Sequence, residues 1–172
     1  DEAVASRRFQ EYFLQGHPYS RISSGTIADI NRITINDVKD FYQRYFTANN
    51  FVVTAYGSIT KEESNKFAEK LQRKLSKNDY EKIQVAAPPL RKGKKVLLLD
   101  KPDCVQTQLY IGTNGIAFDH PDYHALAIAN HVFGGGSFSA WLMSEIREKR
   151  GWSYGAYSSF RSARQPLYFA MQ

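Results

Sequence analysis

The chain has 172 residues, a net charge of +6 and a hydrophobic share of 42%, which is enough for one or two small domains. No apolar run approaches the roughly 20 residues of a membrane-spanning helix. Basic residues alternate with acidic ones, except in Lys92–Lys95, and do not form the patch that nucleic acid binding requires. The composition therefore excludes a spanning helix and argues against a nucleic acid partner.

The first half of the chain predicts helices and one strand. Apolar spacing and stop signals indicate helices at Ala3–Gln15 and Thr26–Ile33, and two more, capped at Thr34 and near Ser58–Glu63, that run to Phe46 and about Leu75. The strand is Phe51–Tyr56. Four aromatic residues recur at helical spacing, which favours core packing over a ligand site; they are Phe41, Tyr42, Tyr45 and Phe46.

The middle of the chain has the composition of a linker, with polar residues followed by Ala86–Pro89 and a basic run. We place the linker at residues 81–93, between a first domain at 1–80 and a second at 94–172. Lys94–Asp100 and Val105–Ile111 are then predicted to form a hairpin. Asp119–Asp122 begins a helix that runs through Val132. Because the chain stops in the strand-like Leu167–Met171, we expect it to be a piece of a longer protein.

Around the glycine run Gly134–Gly136, the sequence predicts helix, turn, helix and strand. Ser137 or Ser139 is expected to cap the second helix, and Gly151 to end it. Its predicted apolar stripe contains Phe138, Leu142 and Ile146, with Arg147 at the edge of the buried face. The strand that follows is Trp152–Phe160.

Arg147 and Tyr154 are seven positions apart, one in the last turn of this helix and the other early in the strand. Their side chains are therefore able to converge on one patch of surface. A guanidinium and a phenol there suit a peptide carbonyl whose oxygen gains negative charge during acyl transfer. The alternative is a surface Arg near a helix end and a half-buried strand Tyr, and spacing alone favours that alternative.

Three histidines are the most tempting metal candidates. His120, His124 and His131 fall within about 40 degrees of one another on a helical wheel. However, an HExxH motif needs Glu at position 121 and the inverted form needs it at 123, where Pro121 and Tyr123 stand. We expect structural or surface roles for the trio, with an adventitious metal site as the alternative. No zinc peptidase motif occurs elsewhere in the chain.

The run from Gly134 to Tyr154 resembles the second-domain signature of the pitrilysin/insulinase (M16) zinc peptidases and their non-catalytic partners, "LGGG…SRL…EIREKRGLxY". Trp141 stands where an Arg is usual in the SRL triplet. Earlier segments resemble parts of that family in the same order; they are Gly16–Arg21, Ile33–Tyr42 and Asp100–Pro102 with Gln106 and Gln108. The resemblance thus covers nearly the whole chain.

The resemblance implies an α+β fold, in which an antiparallel sheet packs against helices in the M16 metallopeptidase-like (LuxS/MPP-like) two-layer architecture, incomplete at both ends. Residues 1–80 would be the C-terminal part of one M16-like domain and 94–172 the N-terminal part of the next. The family's substrate-binding Arg and Tyr map onto Arg147 and Tyr154. No catalytic residue and no metal ligand maps onto this chain.

In functional terms, the resemblance implies the substrate-binding segment of a zinc-dependent endopeptidase, or of its zinc-free partner subunit. Zinc would be held before Asp1 or by a zinc-bearing partner subunit, and the segment alone is expected to be inactive. The implied partners are a peptide, bound as an added strand, and the remaining M16 domains. The alternative is a non-catalytic scaffold subunit. The sequence leaves the compartment open, and the resemblance favours the bacterial periplasm or cytoplasm.

Overall fold

The computed structural model describes residues 2–80 and 82–172. They group into two compact units: residues up to Ser23 together with Val85–Gln172, and Ser24–Gln84. This grouping places the first helix with the second half of the chain and does not follow the expected division at 81–93. The expected domains 1–80 and 94–172 stay a prediction, because contacts define a unit while homology defines a family domain. Residue 81, the first of the expected linker, and residue 1 lie outside the described residues.

The Ser24–Gln84 unit contains helices whose starts are marked in the sequence. They are α2 (Ile27–Ile30), α3 (Ile35–Tyr45) and α4 (Lys61–Lys74), while α1 (Glu2–Phe13) belongs to the other unit. The predicted caps at the starts of α3 and α4 are confirmed, since Thr34 and Thr60 each accept a hydrogen bond from the third helical residue. The Thr34 hydroxyl in turn lowers the pKa of the Asp37 carboxyl by hydrogen bonding to it. Helix starts are therefore fixed by local chemistry here.

Two expectations for this unit are wrong. The predicted strand Phe51–Tyr56 is not a strand, and Val52 in its centre is 93% exposed. An extended segment forms a strand only if a neighbour pairs with its backbone, and no described residue does so here. The aromatic side chains of α3 are not in a core either, since Phe41 and Tyr42 are more than half exposed. They instead stack along the helix, with Phe41 on Tyr45 and Tyr42 on Phe46.

The other unit joins helices to an antiparallel sheet, so the predicted α+β fold is confirmed. Its elements are α1 (Glu2–Phe13), α5 (Tyr123–Asn130), β1 (Ile111–Asn114), β2 (Ser158–Ser162) and β3 (Pro166–Met171). The strand order is β1-β3-β2, with β3 in the centre. A π-helix at His131–Gly135 follows α5 directly. Within the described residues, no helix has the length and apolar character that crossing a bilayer requires.

The predicted hairpin between Lys94–Asp100 and Val105–Ile111 is wrong, because only Ile111 lies in a strand. The first segment is apolar but unpaired in the described structure, and Leu98 at its centre is 88% exposed. β1 pairs instead with β3, from Ile111 opposite Met171 to Asn114 opposite Tyr168. The apolar composition of Lys94–Asp100 is typical of a strand, but a segment becomes a strand only where a second segment lies beside it and pairs with its backbone.

The core of this unit lies between α1 and the sheet. Leu14, Tyr168 and Ala170 are buried, and Phe9 and Phe13 pack against them. The Phe9 ring meets the Tyr168 ring edge to face, with centroids 5.1 Å apart. Burial of apolar area by these side chains is the main force that holds α1 on the sheet.

Arg91 binds the C-terminal end of α1. Its Nε donates to the carbonyl oxygen of Phe13 at 2.5 Å, and one terminal nitrogen donates to those of Tyr12 at 3.2 Å and Gln15 at 3.3 Å. The Arg91 backbone exchanges two hydrogen bonds with the Asn114 side chain in β1. The guanidinium thus donates hydrogen bonds to carbonyls at and just beyond the end of the helix and places a positive charge at the negative end of its dipole.

Replacing Arg91 by Ala is expected to lower the free energy of unfolding by about 1.5–3 kcal/mol, because charge-assisted hydrogen bonds to helix-end carbonyls are lost. Arg91→Lys should recover part of this loss, since it keeps the charge but not the fork of donors. Denaturant midpoints of the full-length protein measure the effect. Lys92→Ala, at an exposed neighbouring cation, is the matched control. Equal stability of the Arg91→Ala and Lys92→Ala variants would contradict the assignment.

Candidate functional site

The helix that carries Arg147 is shorter than predicted. Helical backbone begins at Trp141, and Met143–Glu148 is a π-helix. Phe138 lies before it in a separate 3-10 turn, Ser137–Ser139, and the extended backbone of Ala140 lies between them. The expectation that Phe138 belongs to the apolar stripe of this helix is therefore wrong. Neither predicted serine cap forms a side-chain capping bond at the start of a helix.

The predicted helix end at Gly151 is confirmed. Gly151 has φ +62°, in the left-handed region that favours glycine. Its N–H donates to the Arg147 carbonyl oxygen at 2.9 Å, and the Trp152 N–H donates to that of Ile146 at 3.0 Å. These paired bonds satisfy the last carbonyls and reverse the chain. The reversal brings the residues after Gly151 back past the side of the helix end.

Arg147 and Tyr154 meet as a result of this reversal. The Arg147 guanidinium carbon lies 4.9 Å from the centre of the Tyr154 ring and 4.8 Å from that of Phe138. The two rings are 87% and 61% exposed, respectively. The predicted strand at Trp152–Phe160 is wrong over its first part, since β2 begins only at Ser158, so Tyr154 lies in an irregular segment. The guanidinium meets the face of the ring and not the hydroxyl.

Three other charged groups at this helix end are paired with each other. Glu145 accepts hydrogen bonds from Lys149 and from Arg150, the latter at 2.6 Å. These hydrogen bonds, the one from Arg150 first, lower the pKa of the Glu145 carboxyl to about 2. Arg147 makes no ion pair or side-chain hydrogen bond with the described part of the chain. Neither does the Tyr154 hydroxyl, so the donors of both side chains are available to a ligand.

The glycine run packs tightly on β2. A Cβ atom added to Gly134 would collide with the Ser158 hydroxyl and would lie 2.8 Å from the Ser158 backbone nitrogen. Ser158 Oγ donates to Asn130 Oδ1 at 2.6 Å, and Asn130 Nδ2 donates to the Ser158 carbonyl oxygen at 3.3 Å. These contacts fix the end of α5 against the strand that follows Tyr154. The sequence did not predict the hydrogen bonds between Asn130 and Ser158. The glycine run was the one feature of the sequence that indicated a close contact in this region.

For the three histidines the expectation is a structural or surface role, and a metal site is the alternative. His120 Nδ1 accepts a hydrogen bond from the Asp122 N–H at 3.2 Å, which is a turn contact. Nowhere in residues 2–80 and 82–172 do three His, Cys, Asp or Glu side chains lie close enough together to hold a metal ion. Zinc needs at least three such protein ligands in a catalytic site. The donor set of the described residues therefore does not fit zinc.

Comparisons with known proteins identify relatives of the chain. The family model described as the peptidase M16 inactive domain matches residues 32–172. An uncharacterised zinc protease of Mycobacterium leprae is 30% identical over 150 residues, which cover 83% of this chain and 32% of that protein. A probable mitochondrial-processing peptidase subunit beta of Schizosaccharomyces pombe is 27% identical over 124 residues, which cover 70% of this chain and 27% of that one.

A solved structure has the same fold. The crystal structure of a peptidase M16 inactive domain from Pseudomonas fluorescens matches with a TM-score of 0.86 at 29% identity, over 99% of this chain and 40% of that one. The chain spans only 30% to 32% of the length of the first curated relatives that it matches. The resemblance inferred from the Gly134–Tyr154 run is confirmed at the level of the family. The chain belongs to the M16 family of peptidases, and residues 32–172 correspond to its inactive domain.

Proposed function

We propose that this chain is the substrate-binding segment of an M16-like zinc-dependent endopeptidase, or of the zinc-free subunit that completes one. One observation carries the proposal: the Arg147 guanidinium contacts the rings of two exposed residues, Phe138 and Tyr154, and makes no ion pair in the described part of the chain. A charged group kept at the surface in this way suits a ligand that brings a partial negative charge.

A peptide carbonyl is such a ligand. Its oxygen gains negative charge when the carbonyl carbon is attacked, and donors placed beside it stabilise that charge. Arg147 supplies a rigid fork of N–H groups and Tyr154 one hydroxyl. A peptide bound in extended form would gain affinity from main-chain hydrogen bonds and make few demands on sequence. We therefore propose peptides of varied sequence as the substrate class.

Zinc, in this proposal, is held outside the described residues, by the remaining M16 domains of the same chain or by a zinc-bearing partner subunit. The relatives support both arrangements, since one is named a zinc protease and another a subunit of a processing peptidase. The role of this chain in the reaction is to bind the substrate and to orient it. The periplasm or cytoplasm of a bacterium is the proposed compartment.

The full-length protein, or the complex with its zinc-bearing partner, is expected to cleave unstructured peptides and to lose this activity after chelation. The segment of 172 residues alone should neither cleave them nor retain stoichiometric zinc after dialysis, because residues 2–80 and 82–172 contain no cluster of three metal ligands and so no metal-bound water for a base to activate. Peptide cleavage followed by mass spectrometry, together with elemental analysis, measures both. Turnover by the zinc-loaded segment would contradict the assignment of the metal to another part of the protein.

The scaffold alternative makes a different prediction from the same assay. A full-length protein that assembles with its partners, while neither it nor the complex cleaves any peptide of a varied panel, would favour a non-catalytic M16-like scaffold subunit.

A further inference from the structure

We infer that Phe138 is a positioning residue that holds the Arg147 guanidinium in the orientation needed to bind substrate. The inference rests on the proposed function of Arg147 and adds a third side chain to the site. Its basis is a double contact, in which the guanidinium carbon lies 4.8 Å from the Phe138 ring centre and 4.9 Å from the Tyr154 ring centre. Both distances lie within the roughly 6 Å range of a cation–π contact.

The backbone turns Phe138 away from the core. Ser137, which precedes it, has φ +57° and is the one residue other than glycine with a positive φ among those described. This conformation is unfavourable for a residue with a side chain, so it persists only where the surrounding structure requires it. The turn is closed by the Ser139 hydroxyl, which donates to the Gly136 carbonyl oxygen at 3.0 Å. Phe138 thus remains 61% exposed.

Packing in the interior does not explain this position. Phe138 stacks on no other aromatic ring in the described part of the chain, and its close ring contact is with the Arg147 cation. Met143, by contrast, is fully buried in the helix that follows. An exposed large apolar side chain gains little from burial, and the ring contact that the described structure shows for Phe138 is the one with Arg147.

Contact with two rings restricts the Arg147 side chain more than contact with one ring would. A guanidinium that stacks on a ring uses its face, while its N–H donors lie in its plane and point past the ring edges. Contact with two rings therefore restricts the rotation of a long side chain more than contact with one, and it leaves the donors free. Less conformational entropy is then lost when the substrate binds.

The test compares Phe138→Leu, which keeps apolar volume but removes the ring, with Phe138→Tyr, which keeps the ring. Both are made in the full-length enzyme, or in its complex, and assayed on an unstructured peptide. Phe138→Leu is expected to lower kcat/KM about two- to fivefold, which is the range of an exposed cation–π contact. Phe138→Tyr keeps the ring, so its kcat/KM should stay near that of the unchanged protein. Phe138→Met serves as a second variant without a ring if the Leu variant does not fold.

A double-mutant cycle separates positioning from general stability. In an Arg147→Ala background, Phe138→Leu should have no further effect on kcat/KM, because there is no guanidinium left to orient. If Phe138→Leu costs the same factor with and without Arg147, or if Phe138→Tyr is as impaired as Phe138→Leu, the inference is wrong while the proposed function stands. If Arg147→Ala leaves kcat/KM unchanged, the proposed function itself fails, and the inference fails with it.

Discussion

Replacement of Arg147 by Ala is expected to lower kcat/KM about 10- to 150-fold in the full-length enzyme or in the complex with its catalytic partner. The reason is the loss of a charged donor beside the reacting carbonyl, since a hydrogen bond to a charged group contributes roughly 1.5–3 kcal/mol. Tyr154→Phe removes only a hydroxyl and keeps the ring under the guanidinium, so its cost should be smaller. Steady-state kinetics on one unstructured peptide measures both changes.

The matched control is Lys149→Ala, which removes a cation from the same helix end. Lys149 is hydrogen bonded to Glu145 and is exposed, so its loss should leave kcat/KM nearly unchanged. Because Arg147 and Tyr154 lie outside the core, no variant should shift the melting temperature by more than a few degrees. Full activity of both site variants combined with a collapse of stability would mean that the two residues are structural, which would favour the scaffold function.

Replacement of Gly134 by Ala is expected to destabilise the protein by about 3 kcal/mol, near the upper end of the usual cost of overpacking. The added methyl group would collide with the Ser158 hydroxyl and lie 2.7 Å from Leu142 Cδ1 and 2.8 Å from the Ser158 nitrogen. The hydroxyl is able to rotate, but the nitrogen belongs to the strand backbone beside β3. The π-helix or the strand must therefore move, which should also disturb the site. Thermal and denaturant unfolding of the full-length protein measure this.

Gly151→Ala is the informative comparison, because Gly151 has open space around it and a left-handed backbone. Its cost is conformational, about 1–2 kcal/mol, and Gly151→Asn should reduce that cost because Asn tolerates the left-handed region. A Gly134→Ala variant that is no less stable than Gly151→Ala would show that the glycine run does not pack closely on β2.

Local chemistry made much of the fold predictable. Thr34 and Thr60 mark the starts of α3 and α4 by a hydroxyl three residues before a carboxylate, and Gly151 marks a helix end. Strands depend on distant partners instead. The strands predicted at Phe51–Tyr56 and Lys94–Asp100 are therefore wrong, whereas the stretch predicted to be strand-like near the end of the chain does form β3. Apolar pattern reports that a segment is able to pair, and it does not report whether a partner lies beside it.

The candidate site likewise has one feature that the sequence predicts and others that it does not. The proximity of Arg147 and Tyr154 follows from seven residues of sequence with a glycine turn between them, so it was predictable. The place of Phe138 was not, because a helical wheel that starts at the glycine run puts it on the buried stripe. Only the left-handed backbone of Ser137 takes it off that stripe. The hydrogen bonds between Asn130 and Ser158 join residues 28 positions apart and have no local signal.

The carboxylate of Glu145 keeps its ion pairs at the helix end that carries Arg147 down to low pH. Its pKa, lowered from 4.5 to about 2 by Arg150 and Lys149, means that its pairing with these cations is fully present above about pH 4.5 and is lost only as the pH falls through about 2. Arginine keeps its charge over this whole range. Between about pH 4.5 and neutral pH, the pairing of Glu145 with these two cations is therefore constant. Under the proposed function, a pH optimum of the complete enzyme in that interval would therefore not originate in the titration of Glu145.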